Sequence, residues 1–310
     1  MTRKTETAAL TGRSVVPLFA LLLACLYIFL SFTPRTALAQ EAFSPTRFSV
    51  EIVGEGPDVI MIPGLSTTRE VWRGNAEQLK SEYRLHLVQV KGFGEPAGPN
   101  ADGPVLQPLV EELARYIEAN HIDHPAVVGH SLGGLVALML GADHPDLPGR
   151  LMIVDSLPWY GAAVAPAGAT PETIEPQARM LRDAMAAAQG TPQAAQMTES
   201  ALAGYVVDKS KLLLLREWTK DADLRVSGQL AYDDLIADMR ETIAGITAPL
   251  TMVYPWNETS PTQEQADAFY RQQYAALPTA QFIGIGPAGH FLMADRPEEF
   301  QDALAAFLAK

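Results

Sequence analysis

A chain of 310 residues with 48% hydrophobic content is long enough for one large α/β domain or two smaller ones, and too apolar to be disordered. Its formal net charge of −13 excludes a reader of nucleic-acid backbones, which must neutralise phosphates with clustered Lys and Arg. A single cysteine, Cys25, leaves no internal disulfide, and no Cys-ligated metal site or thiol nucleophile is expected in the exported part of the chain.

The first 39 residues read apart from the rest. Arg3, Lys4 and Arg13 precede an apolar run over 15–32, and Thr36-Ala37-Leu38-Ala39-Gln40 follows. A basic end, an apolar stretch and an Ala-x-Ala site form an export signal, with cleavage expected after Ala39 and a periplasmic or secreted product. An uncleaved anchor crossing the membrane with Pro17 inside it stays open, as does lipidation at Cys25 after Leu22-Leu23-Ala24. The segment carries four basic residues and one acidic one, so its removal would take the net charge from −13 to −16.

From residue 48 onward, short β-rich runs alternate with amphipathic helices, the pattern of a mostly parallel central sheet with helices on both faces. Strands are expected over 48–53 and 59–62, joined by Gly54-Glu55-Gly56-Pro57 as a hairpin. A helix over 68–79, a strand over 84–90 and a helix over 105–119 follow. The run Ala126-Val127-Val128 is continuously apolar, as a parallel strand buried on both faces should be, and it ends at Gly129. A helix over 132–142 and a strand over 150–154 come next. The β signal then fades, and residues 156–243 read as an inserted helical cap with helices over 176–188, 191–206 and 209–218. Alternation resumes with a strand over 250–254, a helix over 263–277, a strand over 281–285 and a helix over 297–308. The chain thus divides into a signal (1–39), a first core part (40–155), the cap (156–243) and a second core part (244–310).

Gly129-His130-Ser131-Leu132-Gly133, followed by Gly134, matches G-x-S-x-G between an apolar strand and a helix. A sharp strand-to-helix turn strains the serine backbone and holds its hydroxyl outward, while flanking glycines let strand and helix approach. The new helix also aims free NH groups at developing negative charge. A serine hydroxyl needs a base to take its proton. Of the six histidines, His290 follows the last expected strand in Gly286-Pro287-Ala288-Gly289-His290-Phe291, beyond a strand's carboxyl end, where α/β ligand sites form. His121 and His124 have no dense carboxylate set beside them that would suggest a metal site.

Ser131 in its elbow and His290 in its loop make the chain similar to the α/β-hydrolase superfamily from about residue 48 to the C-terminus. The resemblance implies a central sheet, a cap after the sixth strand, and an oxyanion hole built from two backbone NH groups. These would come from Leu132 and from Leu65 in the loop Ile62-Pro63-Gly64-Leu65, where many relatives carry His-Gly. It implies neither a cofactor nor a metal, and a small-molecule substrate.

A carboxylate must orient the imidazole. Two candidates stay open. Asp155 stands at the end of Leu151-Met152-Ile153-Val154, and Glu258 stands in the loop Pro255-Trp256-Asn257-Glu258-Thr259, which lacks the family's glycine and aspartate.

The expected activity is hydrolysis of an ester or related acyl bond through an acyl-enzyme. Hydrolysis of a C–C bond or thioester by the same triad, or ligand binding with weak catalysis, are the alternatives. Serine at 131 disfavours dehalogenase and epoxide hydrolase chemistry, whose relatives use aspartate there. Trp159, Tyr160, Met180, Met185, Tyr205 and Trp218 are candidates to line a cap pocket.

Overall fold

A computed structural model describes residues 1–2 and 43–310. The expected signal segment and Cys25 lie outside the residues whose structure is described.

Seven strands form one sheet: β1 (Phe48–Val53), β2 (Asp58–Ile62), β3 (Arg84–Val90), β4 (Ala126–His130), β5 (Arg150–Val154), β6 (Leu250–Pro255) and β7 (Gln281–Ile285), in the spatial order β1-β3-β2-β4-β5-β6-β7. All neighbours run parallel except β1, which pairs antiparallel with β3 from Phe48 opposite Val90 to Val53 opposite Leu85. The expected hairpin of β1 with β2 is therefore wrong. β2 is buried along nearly its whole length and takes a parallel partner on each side, β3 and β4, so β3 lies between it and β1. The linking turn uses Gly54 and Gly56, both at positive φ, to cross the chain around 80–83 ahead of β3, where any Cβ would collide with backbone.

Alternate residues of the central strands feed opposite faces. Ile60, Ile62, Val88, Val90, Val127 and Ile153 pack with helices α2 (Leu106–Ala119) and α3 (Leu132–Asp143). Met61, Leu85, Leu87, Val128, Met152 and Val154 pack on the other face with Trp72, Phe300 and Leu304. Trp72 ends a 3₁₀ turn, Arg69–Trp72, that leads into α1 (Arg73–Leu79), so the helix expected over 68–79 begins as a tighter coil.

Between β5 and β6 the chain is helical: a single turn Gly161–Val164, then α4 (Pro171–Ala188), α5 (Pro192–Leu202), α6 (Leu212–Thr219) and α7 (Leu224–Ile236). This insertion follows the fifth strand of the described sheet, not a sixth. Helix α4 starts five residues earlier than expected, because Thr170 and Thr173 form a cap through Thr170 NH to Thr173 Oγ1 (2.8 Å) and Pro171 suits the first turn. Helix α7 lies within the expected helical cap but is not one of the three helices named for it. Helices α8 (Gln263–Gln273) and α9 (Pro297–Leu308) complete the fold.

Candidate active site

The end of β4 delivers Ser131 at φ 53° and ψ −124°, a strained conformation for a residue with a Cβ. Its NH donates to Val154 O (2.9 Å) on β5, and Gly134 NH donates to Ser131 O (2.7 Å), locking the turn between sheet and helix. Gly133 permits the geometry, since a Cβ there would collide with the backbone carbonyls of Ile62 and Pro63. The same closeness brings the loop after β2 against the elbow, with an ideal Cβ on Gly64 lying 3.1 Å from Ser131 Cβ.

Leu132 opens α3, so its NH has no acceptor within the helix. Leu65 follows Gly64 at a turn in which Thr67 NH donates to Gly64 O (3.2 Å) and Ser66 takes φ 56°. Both expected oxyanion donors thus sit on segments that meet at the serine.

His290 lies in the loop after β7. Its Nδ1–H donates to Asp155 Oδ2 at 2.6 Å, which leaves Nε2 as the basic nitrogen. Asp155 stands just past the end of β5 at φ 44°, its NH donating to Val253 O (2.8 Å). Tyr270 on α8 donates its hydroxyl to the other carboxylate oxygen. Burial would raise this carboxyl, but the His290 ring and the hydrogen bonds from His290 and Tyr270 outweigh it and hold Asp155 below the usual aspartate value. Burial and Asp155 together push the Tyr270 hydroxyl well up, so it stays a donor.

Glu258, the other carboxylate open on sequence grounds, is exposed, and among the described residues its only hydrogen bond runs from its own NH to Asn257 Oδ1 (2.8 Å). The loop after β6 carries it outward, whereas the end of β5 aims Asp155 at His290. The Ser131 hydroxyl makes no hydrogen bond to His290 among the described residues. The ring of His130, the residue before Ser131, lies 4.6 Å from the ring of His290.

His130 itself is fully buried and donates from Nε2 to His290 O at 2.9 Å, tying the elbow to the histidine loop. Burial and the neighbouring His290 push it down to about 3, so it is neutral. A second tie is Asp295, whose carboxylate accepts from Gly289 NH (2.7 Å) in the histidine loop and from Val207 NH (2.9 Å) and Asp208 NH (3.0 Å) in the inserted segment. Phe291 NH donates to Tyr205 O (3.1 Å) beside it.

Residues 59–303 match the Alpha/beta hydrolase family. The chain belongs to that family. Among α/β hydrolases it is 28% identical over 271 residues to a pimeloyl-[acyl-carrier protein] methyl ester esterase of Aeromonas hydrophila, covering 84% of this chain and 98% of that one. It is 27% identical over 206 residues to the protein of the same name from Vibrio atlanticus, covering 66% and 77%. Its fold resembles a thermophilic esterase from Thermogutta terrifontis, with a TM-score of 0.70, 18% identity and coverage of 86% and 97%. It also resembles the enol-lactonase from Burkholderia xenovorans, with a TM-score of 0.68, 19% identity and coverage of 85% and 96%.

Of the six aromatic and methionine candidates for a cap pocket in this α/β hydrolase, one has its ring against the histidine. The Tyr205 ring is 5.1 Å from the His290 ring. Tyr160 is pushed up to about 12 by burial and by the fields of Tyr205, Asp234 and Asp155. Trp159 is buried, bonded from Nε1 to Leu235 O (2.8 Å) and covered by Arg240 at 4.3 Å. Trp218 is buried against Phe291 and lines a cavity of about 610 Å³ that none of Ser131, Asp155 and His290 borders. Met180 is exposed, and Met185 packs α4 against Gly228 of α7. Tyr270, Asp295 and Asp234 escaped the sequence reading. Only their approach to distant segments marks them, and nothing local signals it.

Proposed function

We propose that the chain is an exported serine hydrolase of carboxylic esters, with Ser131 as nucleophile, His290 as base and Asp155 as the orienting acid. The reading rests above all on the Nδ1 to Asp155 bond of 2.6 Å at a histidine held beside a strained Ser131. Relatives named as methyl ester esterases support an ester as substrate.

In this mechanism Ser131 Oγ attacks the ester carbonyl while His290 Nε2 takes its proton. The oxyanion that forms accepts hydrogen bonds from the NH groups of Leu132 and Leu65. His290 then protonates the leaving alkoxide, and the acyl group stays on Ser131. Water, deprotonated by the same nitrogen, attacks the acyl-enzyme and releases the acid. Asp155 fixes the tautomer with the proton on Nδ1 and compensates the imidazolium formed in each half-reaction.

Turnover of p-nitrophenyl butyrate by residues 40–310 tests the reading. Ser131→Ala should lower kcat by about 10⁴-fold or more and abolish labelling by a fluorophosphonate probe. Asp155→Asn should lower kcat by about 10⁴-fold with the fold intact, while Glu258→Gln leaves it near wild type. A protein that neither turns over an ester nor takes the probe ends the proposal.

Export rests on the sequence alone, on the basic end, the apolar run and Ala37-Leu38-Ala39.

A further inference from the structure

Helix α7, the last helix of the insertion, lies across the site and is held at both ends. Near its start Ser227 Oγ and Ser66 Oγ are 2.7 Å apart, directly after Leu65 in the oxyanion loop. Near its end Trp159 Nε1 donates to Leu235 O (2.8 Å), and Met239 NH donates to Pro158 O (2.8 Å), three residues past Asp155.

Asp234 occupies this span. It stands seven residues after Ser227, about two helical turns, so the two share the face turned to the oxyanion loop. It also neighbours Leu235, whose carbonyl meets Trp159, the residue before Tyr160. The other acids nearby are spoken for. Asp233 accepts from Leu106 NH (3.1 Å), Val105 NH (3.4 Å) and Gln229 (2.8 Å), and Asp238 holds Arg240 (2.9 Å). Asp234 accepts no hydrogen bond from any described residue.

Asp234 is part-buried on its helix, and its charge is coupled to the site. Burial pushes Asp234 up to about 7, opposed by the field of His290 and assisted by Asp233. Tyr160 feels Asp234, Asp155 and Tyr205 in turn. Yet Tyr160 and Tyr205 keep 42% and 38% of their surface, so these residues face solvent and are not packed into a core. The nearby arginines are committed elsewhere, Arg240 to Asp238 and the Trp159 ring, Arg182 to Asp183 and the Tyr232 ring.

We infer that Asp234, with the rings of Tyr160 and Tyr205, forms a subsite for a positively charged ammonium group of the ester substrate. A carboxylate with no hydrogen-bond partner is compensated best by a cation, and exposed aromatic rings add cation–π attraction to it. An ester carrying a carboxylate in the same place would meet the repulsion of both Asp234 and Asp155. The assignment rests on the serine-hydrolase reading and names the substrate class for that site.

The test is a comparison of isosteres at pH 8. The p-nitrophenyl esters of 4-(trimethylammonio)butanoate and 5,5-dimethylhexanoate have the same shape and differ in charge, and the glutarate monoester adds an anion. With kcat/KM normalised to hydroxide hydrolysis, the wild type should prefer the cation over its carbon isostere by at least about tenfold, and the anion should be the poorest. Asp234→Asn should bring the cation preference close to unity, and Asp234→Glu should keep most of it. A wild-type ratio at or below one, which needs no variant to measure, overturns the subsite. So does a preference that survives in Asp234→Asn. Turnover of none of the three esters overturns the serine-hydrolase reading and the subsite with it.

Discussion

Asp155 and Asp234 are both part-buried carboxylates, and their surroundings shift their pKa values in opposite directions. Asp155 is bonded twice, by His290 and Tyr270, and is held below its ordinary value. Its contribution to stability is present above about pH 4 and is lost as pH falls through its folded value. Asp234 has burial without bonds and is pushed up to about 7, so its ionisation opposes folding. That cost grows from about pH 4 to about pH 7 and is complete above it. Asp234→Asn should therefore melt close to wild type at pH 4 and higher at pH 8, by a free energy on the order of 2 kcal/mol. Thermal denaturation at the two pH values checks this, and a lower melting point at pH 8 would mark Asp234 as a structural support. A gain in stability with a loss of substrate preference is what a charge kept for binding should show.

Ser131 and His290 were legible in the sequence because their contexts are local: a strand, glycines and a helix for one, a glycine-rich loop past a strand for the other. The acid was not, since Asp155 and Glu258 each follow a strand and only the tertiary path shows which of them faces His290. Asp234 was invisible because its meaning depends on where its helix lies in the cap, and no local signal announces that.

At the scale of elements, the misread pieces share a cause. The β1 to β2 link has the length and glycines of a hairpin, but β3 takes the place beside β2, pairing parallel with it and antiparallel with β1. Helix α7 carries Gly228 in mid-helix, a residue that argues against a helix when read alone. In the fold, Gly228 lies where α4 comes close, and a Cβ would meet Arg182 O at 2.8 Å. The elbow shows the converse, a case where the sequence rule and the packing agree. Gly133→Ala should destabilise the protein by on the order of 3 kcal/mol or more, because its clash is with backbone that cannot swing away. Urea denaturation monitored by tryptophan fluorescence measures it, and a loss below about 0.5 kcal/mol would show that the elbow can relax.

At the scale of the molecule, the alternation of strands and helices made the sheet, its parallel sense and the helical insertion readable, since two-sided burial leaves continuous apolar runs in β4 and β5. The edge pairing was not readable, as it depends on which strand wins the centre. The N-terminal 39 residues make a prediction of their own. Expressed from its full sequence in a bacterium with a periplasm, the protein should be recovered outside the cytoplasm beginning at Gln40, as sequencing of its N-terminus would show. Recovery with Met1 in place would favour the anchor.

The carboxylate of Asp295 grips Gly289 on one side and Val207 and Asp208 on the other, residues 87 and 88 positions away in the chain. An engineer exchanging the helical insertion for that of another α/β hydrolase would thus be editing the histidine loop without touching it. A graft that ended at β5 and β6 would carry in a foreign strap with no claim on Asp295, and the loop bearing His290 would lose its outer support. Swapped chimeras need that distant aspartate treated as part of the transplanted piece.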